Sequence, residues 1–294
     1  MDLTCKKRTE LDLQDFTIHF NDIVKDLKEI EKAYPLYFWM SENIAYDTEG
    51  YFFQINKKVK SEEVYYSGKG IGAGYCRLFS YIGIYIGLYV CYVYGFNKDF
   101  VEHEWNVVKF ENIYYLIKST WGEGYLDGRN FVKSFEEFYF CTEPEYFFES
   151  HYPEDNKCQL INPPLSCEEL IKRAKFTPYF HDLFKTDCIY KTIQVNKKLT
   201  IRLNKLKENV KINFSFHYTN ENKTETKDIE CLPKYKKDYI DLIFIFKHKG
   251  KYMIEIYGTA KVGKIYEPMV TYNIESQEEW GDDKRFDFSM DDYD

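Results

Sequence analysis

The chain has 294 residues, 44% of them hydrophobic and 30% charged, which is enough apolar material for one large domain or two ordinary ones. A formal net charge of -8 argues against nucleic acid as the main ligand. The aromatic share is high at 19%, with 28 Tyr and 24 Phe; this suits half-buried strands and adhesive surfaces, and an AT-rich coding sequence gives the same bias.

The charge is uneven. From Gln277 to Asp294 eight acids face only Lys284 and Arg285, so about -6 of the total sits there. Trp280, Phe286 and Phe288 offer too little to bury, and 277–294 is expected to be an acidic disordered tail. Cys5, Cys76, Cys91, Cys141, Cys158, Cys167, Cys188 and Cys231 are scattered with no CxxC pair, as expected of free thiols in a reducing compartment. The opening Met1-Asp-Leu-Thr-Cys-Lys-Lys-Arg8 has no signal-peptide pattern, so a cytoplasmic location is expected and the sequons at Asn213 and Asn222 read as chance matches. The six His show no metal-ligand spacing, and no cofactor or metal is expected.

In chain order, helical spacing runs from about Phe16 to Trp39, with Val24, Leu27, Ile30 and Tyr34 on one face and Pro35 as an interruption. Tyr37 to Asp47 reads as a second helix, and the charged segment Asn56 to Glu63 as an exposed loop. The stretch from Leu78 to Phe96 carries no charge and is long enough to suggest a membrane span, with Gly83 and Gly87 at the spacing of membrane helix pairs. Its many Tyr hydroxyls fit hydrocarbon poorly. The favoured reading is a buried helix ending near Ile86, stopped by Gly87, then a strand from Leu88 to Tyr94, and no membrane span. Strands are expected next at Glu104–Phe110 and Tyr114–Ile117, followed by an irregular wrap from Thr142 to Leu165 and a short helix near Cys167–Ala174. A helix followed by antiparallel strands makes this half an α+β unit.

Beyond it the pattern turns to short strands: Lys191–Val195, Leu199–Leu203, Val210–Tyr218, Asp228–Leu232, Ile240–Lys247, Lys251–Gly258 and Ile265–Ile274. About seven strands separated by polar turns predict an immunoglobulin-like β-sandwich, with His248-Lys-Gly250 as a hairpin turn.

The glycine run Gly68-Lys-Gly-Ile-Gly-Ala-Gly74 lacks the spacing of a phosphate loop or a dinucleotide fingerprint. It is followed by Tyr75-Cys-Arg-Leu-Phe79, by His103-Glu-Trp-Asn106 and by Leu116-Ile-Lys-Ser-Thr-Trp-Gly122. Further on come Tyr139-Phe-Cys-Thr-Glu-Pro-Glu145, His151-Tyr-Pro-Glu-Asp155 and Gln159-Leu-Ile-Asn-Pro-Pro164. In this order and spacing, over roughly residues 35–170, the chain resembles the transglutaminase-like superfamily, and most closely its kyphoscoliosis peptidase branch.

With the resemblance added, the expected organisation is a transglutaminase-like (papain-like) α+β domain at 1–165, a linker at 166–184, the immunoglobulin-like sandwich at 185–276 and the tail at 277–294. The resemblance also implies a Cys-His-Asp triad, in which a thiolate at a helix start is served by a His that an Asp orients. Here the nucleophile position is Gly72, the His is retained as His103, and the Asp position holds Lys118. Cys76 is the alternative nucleophile, one helical turn (about 5.4 Å) further in; the plainer reading makes it a small buried hydrophobe. Tyr75, Trp105 and Trp121 are candidates to line the cleft, with Trp105 and Trp121 reading also as core residues that frame it. A catalytically inactive protein-binding or scaffold protein is therefore expected, with an active cysteine hydrolase or transamidase using Cys76 and His103 as the alternative. Its partner would be an extended peptide segment or, as the branch implies, a cytoskeletal or cell-division protein.

Overall fold

The computed structural model describes residues 11–220, 223–225, 229–260 and 265–278. Nearly all of the segment expected to be a disordered tail lies outside them, as do Cys5 and Asn222. The chain divides into two compact units, Met1–Ile171 and Lys172–Asp294.

In the first unit α1 (Leu13–Val24) starts where the Asp12 carboxylate accepts from the Asp15 amide at 2.8 Å, and it buries Leu13, Phe16, Phe20 and Val24. The helix expected to run to Pro35 breaks instead at Lys25–Lys28, and Ile30 is exposed. Pro35 lies inside α2 (Glu29–Asn43). It costs one backbone hydrogen bond, which the buried Leu36, Tyr37, Trp39 and Met40 on the same helix outweigh. The expected second helix is therefore the latter part of α2. The chain then forms a two-residue strand β1 (Ala45–Tyr46), the helix α3 (Thr48–Phe53) and α4 (Ser61–Ser67), the last replacing part of the expected loop. The strand β2 (Lys69–Gly70) pairs in parallel with β1 and delivers the chain to α5 (Gly72–Tyr85).

Helix α5 buries Tyr75, Cys76, Leu78, Phe79 and Ile82. It ends at Ile86, and Gly87, at φ +88°, turns the chain into β3 (Tyr89–Asn97). Only glycine takes that conformation cheaply. β3 pairs with β4 (Glu102–Phe110), which pairs with β5 (Ile113–Ile117). After α6 (Ser119–Gly122) comes the hairpin of β6 (Gly124–Asp127) and β7 (Asn130–Lys133). Then follow β8 (Phe140–Thr142), α7 (Pro144–Phe147) and β9 (His151–Pro153). The main sheet is antiparallel in the order β8-β5-β4-β3-β9, so part of the expected irregular wrap is an edge strand.

Alternation along β4 sorts its side chains to two faces. Asn106, Val108 and Phe110 face α5 and the main core, where the Asn106 amide donates to the Cys76 carbonyl at 3.2 Å and to Ser80 Oγ at 2.9 Å. Trp105 and Val107 face a second cluster with Val93, Leu116, Phe147, Phe148 and Leu170.

Helix α8 (Cys167–Lys172) ends the first unit and enters the second, whose own helix is α9 (Pro178–Leu183). Ala174, Phe176, Phe180, Leu183 and Phe184 are buried in the second unit's core, so the segment expected as a linker is largely part of that unit. One sheet has the order β10-β12-β16-β15, formed by Phe184–Lys185, Lys198–Lys205, Tyr239–Phe246 and Ile229–Tyr235. The other is β11-β18-β17-β13-β14, formed by Thr192–Val195, Glu267–Ser276, Gly250–Thr259, Lys211–Asn220 and Lys223–Glu225. Ile201, Leu242 and Phe244 of the first sheet pack with Ile254, Ile256, Tyr272 and Ile274 of the second in one core. The protein is thus α+β, with an immunoglobulin-like β-sandwich after the mixed unit. Among the described residues no helix is long and apolar enough to cross a membrane.

Candidate functional site

Gly72 is the first residue of α5. The preceding Ile71 has no side-chain oxygen to cap the helix, so the first-turn amides have no side-chain acceptor at that position. Outside its own chain neighbours and helix backbone, a Cβ built at Gly72 would have, among the described residues, only Thr120 Oγ1 within 4 Å, at 4.0 Å. Thr120 is 5% exposed, and among the described residues neither its hydroxyl nor that of the buried Ser119 has a hydrogen-bond partner. The missing side chain thus leaves room faced by a buried hydroxyl.

Lys118, at the position where the resemblance puts Asp, is fully buried. Its backbone caps α6 by accepting from the Trp121 and Gly122 amides, and its own amide donates to Tyr139 O at 2.9 Å. The ammonium donates to the Glu104 carbonyl at 2.5 Å and lies 5.9 Å from the rings of both Trp105 and Trp121. Burial lowers its pKa to about 8, against the opposing pull of Cys76 and Glu104. The lysine is anchored on the backbone next to His103.

Cys76 is 2% exposed. Burial pushes its thiol up to about 12; Lys118 and Arg77 pull it down, and Glu104 pushes it further up. A thiol so shifted is protonated at neutral pH and is a poor nucleophile. Cys76 also packs toward the face of β4 that carries Asn106, whereas His103 shares the opposite face with Trp105.

The His103 ring stacks on His151 at 5.2 Å and meets the edge of Trp121 at 5.4 Å. His151 is fully buried, with Nδ1 2.9 Å from Ser150 Oγ, and it also contacts Trp105 and Trp121. The strand residue opposite His103 is Gly95. A Cβ there would lie 2.2 Å from Tyr152 O, 2.7 Å from the Trp105 ring and 2.8 Å from Pro153 Cα. Gly95→Ala is therefore expected to destabilise the first unit by about 1–3 kcal/mol, the usual cost of overpacking, and to detach β9. A urea midpoint unchanged from wild type would contradict this packing.

Of the three aromatic residues expected to line a cleft, Tyr75 and Trp105 are fully buried and only Trp121 is partly exposed. Tyr75 follows Gly72 by three residues and turns into the main core, and Trp105 fills the second cluster. The Tyr75 hydroxyl donates to the Glu123 carboxyl, which is itself fully buried. Burial raises the Glu123 pKa to about 9, although the bond from Tyr75 and the charge of Lys133 both oppose the rise. Sequence reasoning missed Glu123, Thr120, Glu104 and His151 as members of this site. The available signal was proximity to the motifs: Glu123 and Thr120 flank Trp121, and Glu104 lies inside His103-Glu-Trp-Asn106. Among the described residues no group of three or more His, Cys, Asp or Glu could hold a metal ion.

No family model matches the chain. The mouse kyphoscoliosis peptidase is 29% identical over 167 residues, covering 51% of this chain and 25% of that protein. Its human counterpart is 28% identical over the same length and shares. The chain thus spans about a quarter of the length of the curated relatives it matches. A solved TGase crystal structure covers 44% of this chain and 35% of its own at 20% identity, with a TM-score of 0.32, a likeness too shallow to argue from. The sequence matches support a transglutaminase-like relationship.

Proposed function

We propose that this transglutaminase-like chain is catalytically inactive and acts as a protein-binding module. The observation that carries the reading is the nucleophile position: residue 72 is glycine, and the thiol one turn on, Cys76, is buried, which pushes its pKa up to about 12. Lys118 supports it further. A lysine bonded to a main-chain carbonyl between two indoles has no means of orienting an imidazole as a carboxylate does. What remains is a scaffold built around the retained His103 and Trp121. An extended peptide segment is the class of partner proposed, and cytoskeletal or cell-division proteins are the partners that the resemblance implies.

The test is native labelling with iodoacetamide at pH 7, read at the Cys76 peptide by mass spectrometry, beside an amidase and crosslinking assay. Cys76 is expected to react at least about a hundredfold slower than free cysteine, because its thiolate fraction falls faster than its intrinsic nucleophilicity rises. No turnover is expected, and Cys76→Ala should change nothing. Rapid labelling of Cys76 that His103→Ala slows, together with turnover that Cys76→Ala abolishes, would establish the hydrolase or transamidase reading instead.

A further inference from the structure

Resting on the reading that the site is inert, we propose that the head of α5 is a receptor for a peptide carboxylate. The Gly72 and Ala73 amides and Thr120 Oγ1 would hold it, in the space a nucleophile side chain would fill.

Three independent features converge on that spot. The first is electrostatic. A helix of 14 residues presents unbonded first-turn amides and the positive end of its dipole at Gly72, and Ile71 contributes no capping oxygen to satisfy them. The second is space. Gly72 is only half-buried, and the region its Cβ would enter is empty apart from the Thr120 hydroxyl. The third is an unmet demand. Thr120 Oγ1 is buried, has no partner among the described residues and faces the same vacancy at 4.0 Å from the Cβ position. A buried hydroxyl without a partner is uncommon, and an acceptor placed beside Gly72 would supply one.

The donor set selects the ligand. Two backbone N–H groups and a hydroxyl can all donate, so an acceptor-rich anion fits and a cation does not. Glu123, the buried acid three residues after Thr120, has its pKa raised to about 9 by burial, which favours its neutral form near neutral pH and lessens repulsion of an anion. A carboxylate is the anion that peptides carry, at their C-terminus or on Asp and Glu side chains. The lost side chain thereby turns a place suited to developing negative charge into one that can hold a standing charge.

The experiment titrates the full ¹⁵N-labelled chain with N-acetyl-trialanine as free acid and as amide, with N-acetyl-Ala-Asp-Ala-amide, and with acetate. The expected result is a saturable shift of the Gly72 and Ala73 amide resonances with the acids and none with trialanine amide. Tighter binding of the free acid than of the Asp peptide assigns the C-terminal source, and the reverse order assigns the side chain. Thr120→Val should weaken binding about tenfold, the loss of one hydrogen bond to a charged group. Gly72→Asp, which places a tethered carboxylate at the same amides, should abolish it with the rest of the spectrum unchanged. Equal shifts from acid and amide, no saturation, or wild-type affinity in Thr120→Val would overturn the proposal. The mass of the recovered peptide is read in the same samples: cleavage would overturn the inert reading and leave the carboxylate receptor standing.

Discussion

Between pH 5 and pH 7.5 the wild-type chain is expected to lose stability by up to about 1.4 kcal/mol per pH unit relative to Glu123→Gln. Glu123 is fully buried under the Tyr75 hydroxyl, and burial raises its carboxyl to about 9 from an ordinary value of 4.5. In the unfolded chain the same group ionises near pH 4.5. Across the window from 4.5 to 9 the folded state therefore holds a proton that the unfolded state has released. The contribution is fully present below pH 4.5 and declines as pH rises through that window. By pH 7 the accumulated loss is about 3 kcal/mol, which glutamine avoids while its carbonyl still accepts from Tyr75. Lys118 acts in the opposite sense, but only from about pH 8 to 10.5, where the unfolded chain holds the extra proton, so the window below 7.5 isolates Glu123. Urea midpoints followed by tryptophan fluorescence at several pH values test this, since Trp39, Trp105 and Trp121 all lie in the first unit. Parallel pH profiles for wild type and Glu123→Gln would show that the carboxyl is ionised in the folded protein.

What was legible in the sequence was whatever local chemistry decides. The uncharged run from Leu78 divided as expected into a helix, a Gly87 turn and a strand, because a φ of +88° has an obvious residue preference. Seven of the nine strands described in the second unit were readable from alternation, as in Tyr252-Met-Ile-Glu-Ile-Tyr257, where Tyr252, Ile254 and Ile256 are the buried set; the short β10 and β14 were not. Pro35 misled because its local penalty was weighed without the tertiary burial of Leu36, Tyr37 and Met40 beside it. The segment 166–184 misled in the other direction: Phe176, Phe180 and Phe184 look like sparse apolar residues between domains until the sandwich supplies a core for them. At the site, the motifs single out Gly72, His103, Lys118 and Trp121 as candidates. Motif spacing carries no burial, so Tyr75 and Trp105 could not be told from exposed lining, and Glu123 could not be recognised as an acid held neutral. Nor could it reveal that Cys76 and His103 approach β4 from opposite faces.

Gly72→Cys is expected to fold as the wild type does and to gain a thiol of lowered pKa, whereas Lys118→Asp, alone or combined with it, is expected to cost about 3–5 kcal/mol. On the proposed reading this pair would rebuild a triad; the packing separates the two steps. At position 72 a new side chain meets only the Thr120 hydroxyl at 4.0 Å, and the helix start favours a thiolate there. The new thiol should therefore titrate below the roughly 8.5 of free cysteine, and Thr120→Val in the same background should raise it. At position 118 the buried ammonium donates to the Glu104 carbonyl and sits over two indole rings. Aspartate replaces a donor with an acceptor against that carbonyl, puts negative charge near Glu104, and removes the buried stem that carries the ammonium to 5.9 Å from the Trp105 and Trp121 rings. Lys118→Met separates these causes, since it keeps the stem and removes the charge. A buried charge replaced by a well-packed apolar chain is often neutral or stabilising, so Met should sit close to wild type in urea while Asp does not. If Asp is tolerated as well as Met, the cavity at position 118 accepts water or moves, and a two-substitution repair becomes structurally possible. If Asp costs the expected amount of about 3–5 kcal/mol, building a working carboxylate there also needs changes at Glu104 and around Trp105. The lysine at position 118 is then tied to the core, and one substitution there does not install a working carboxylate.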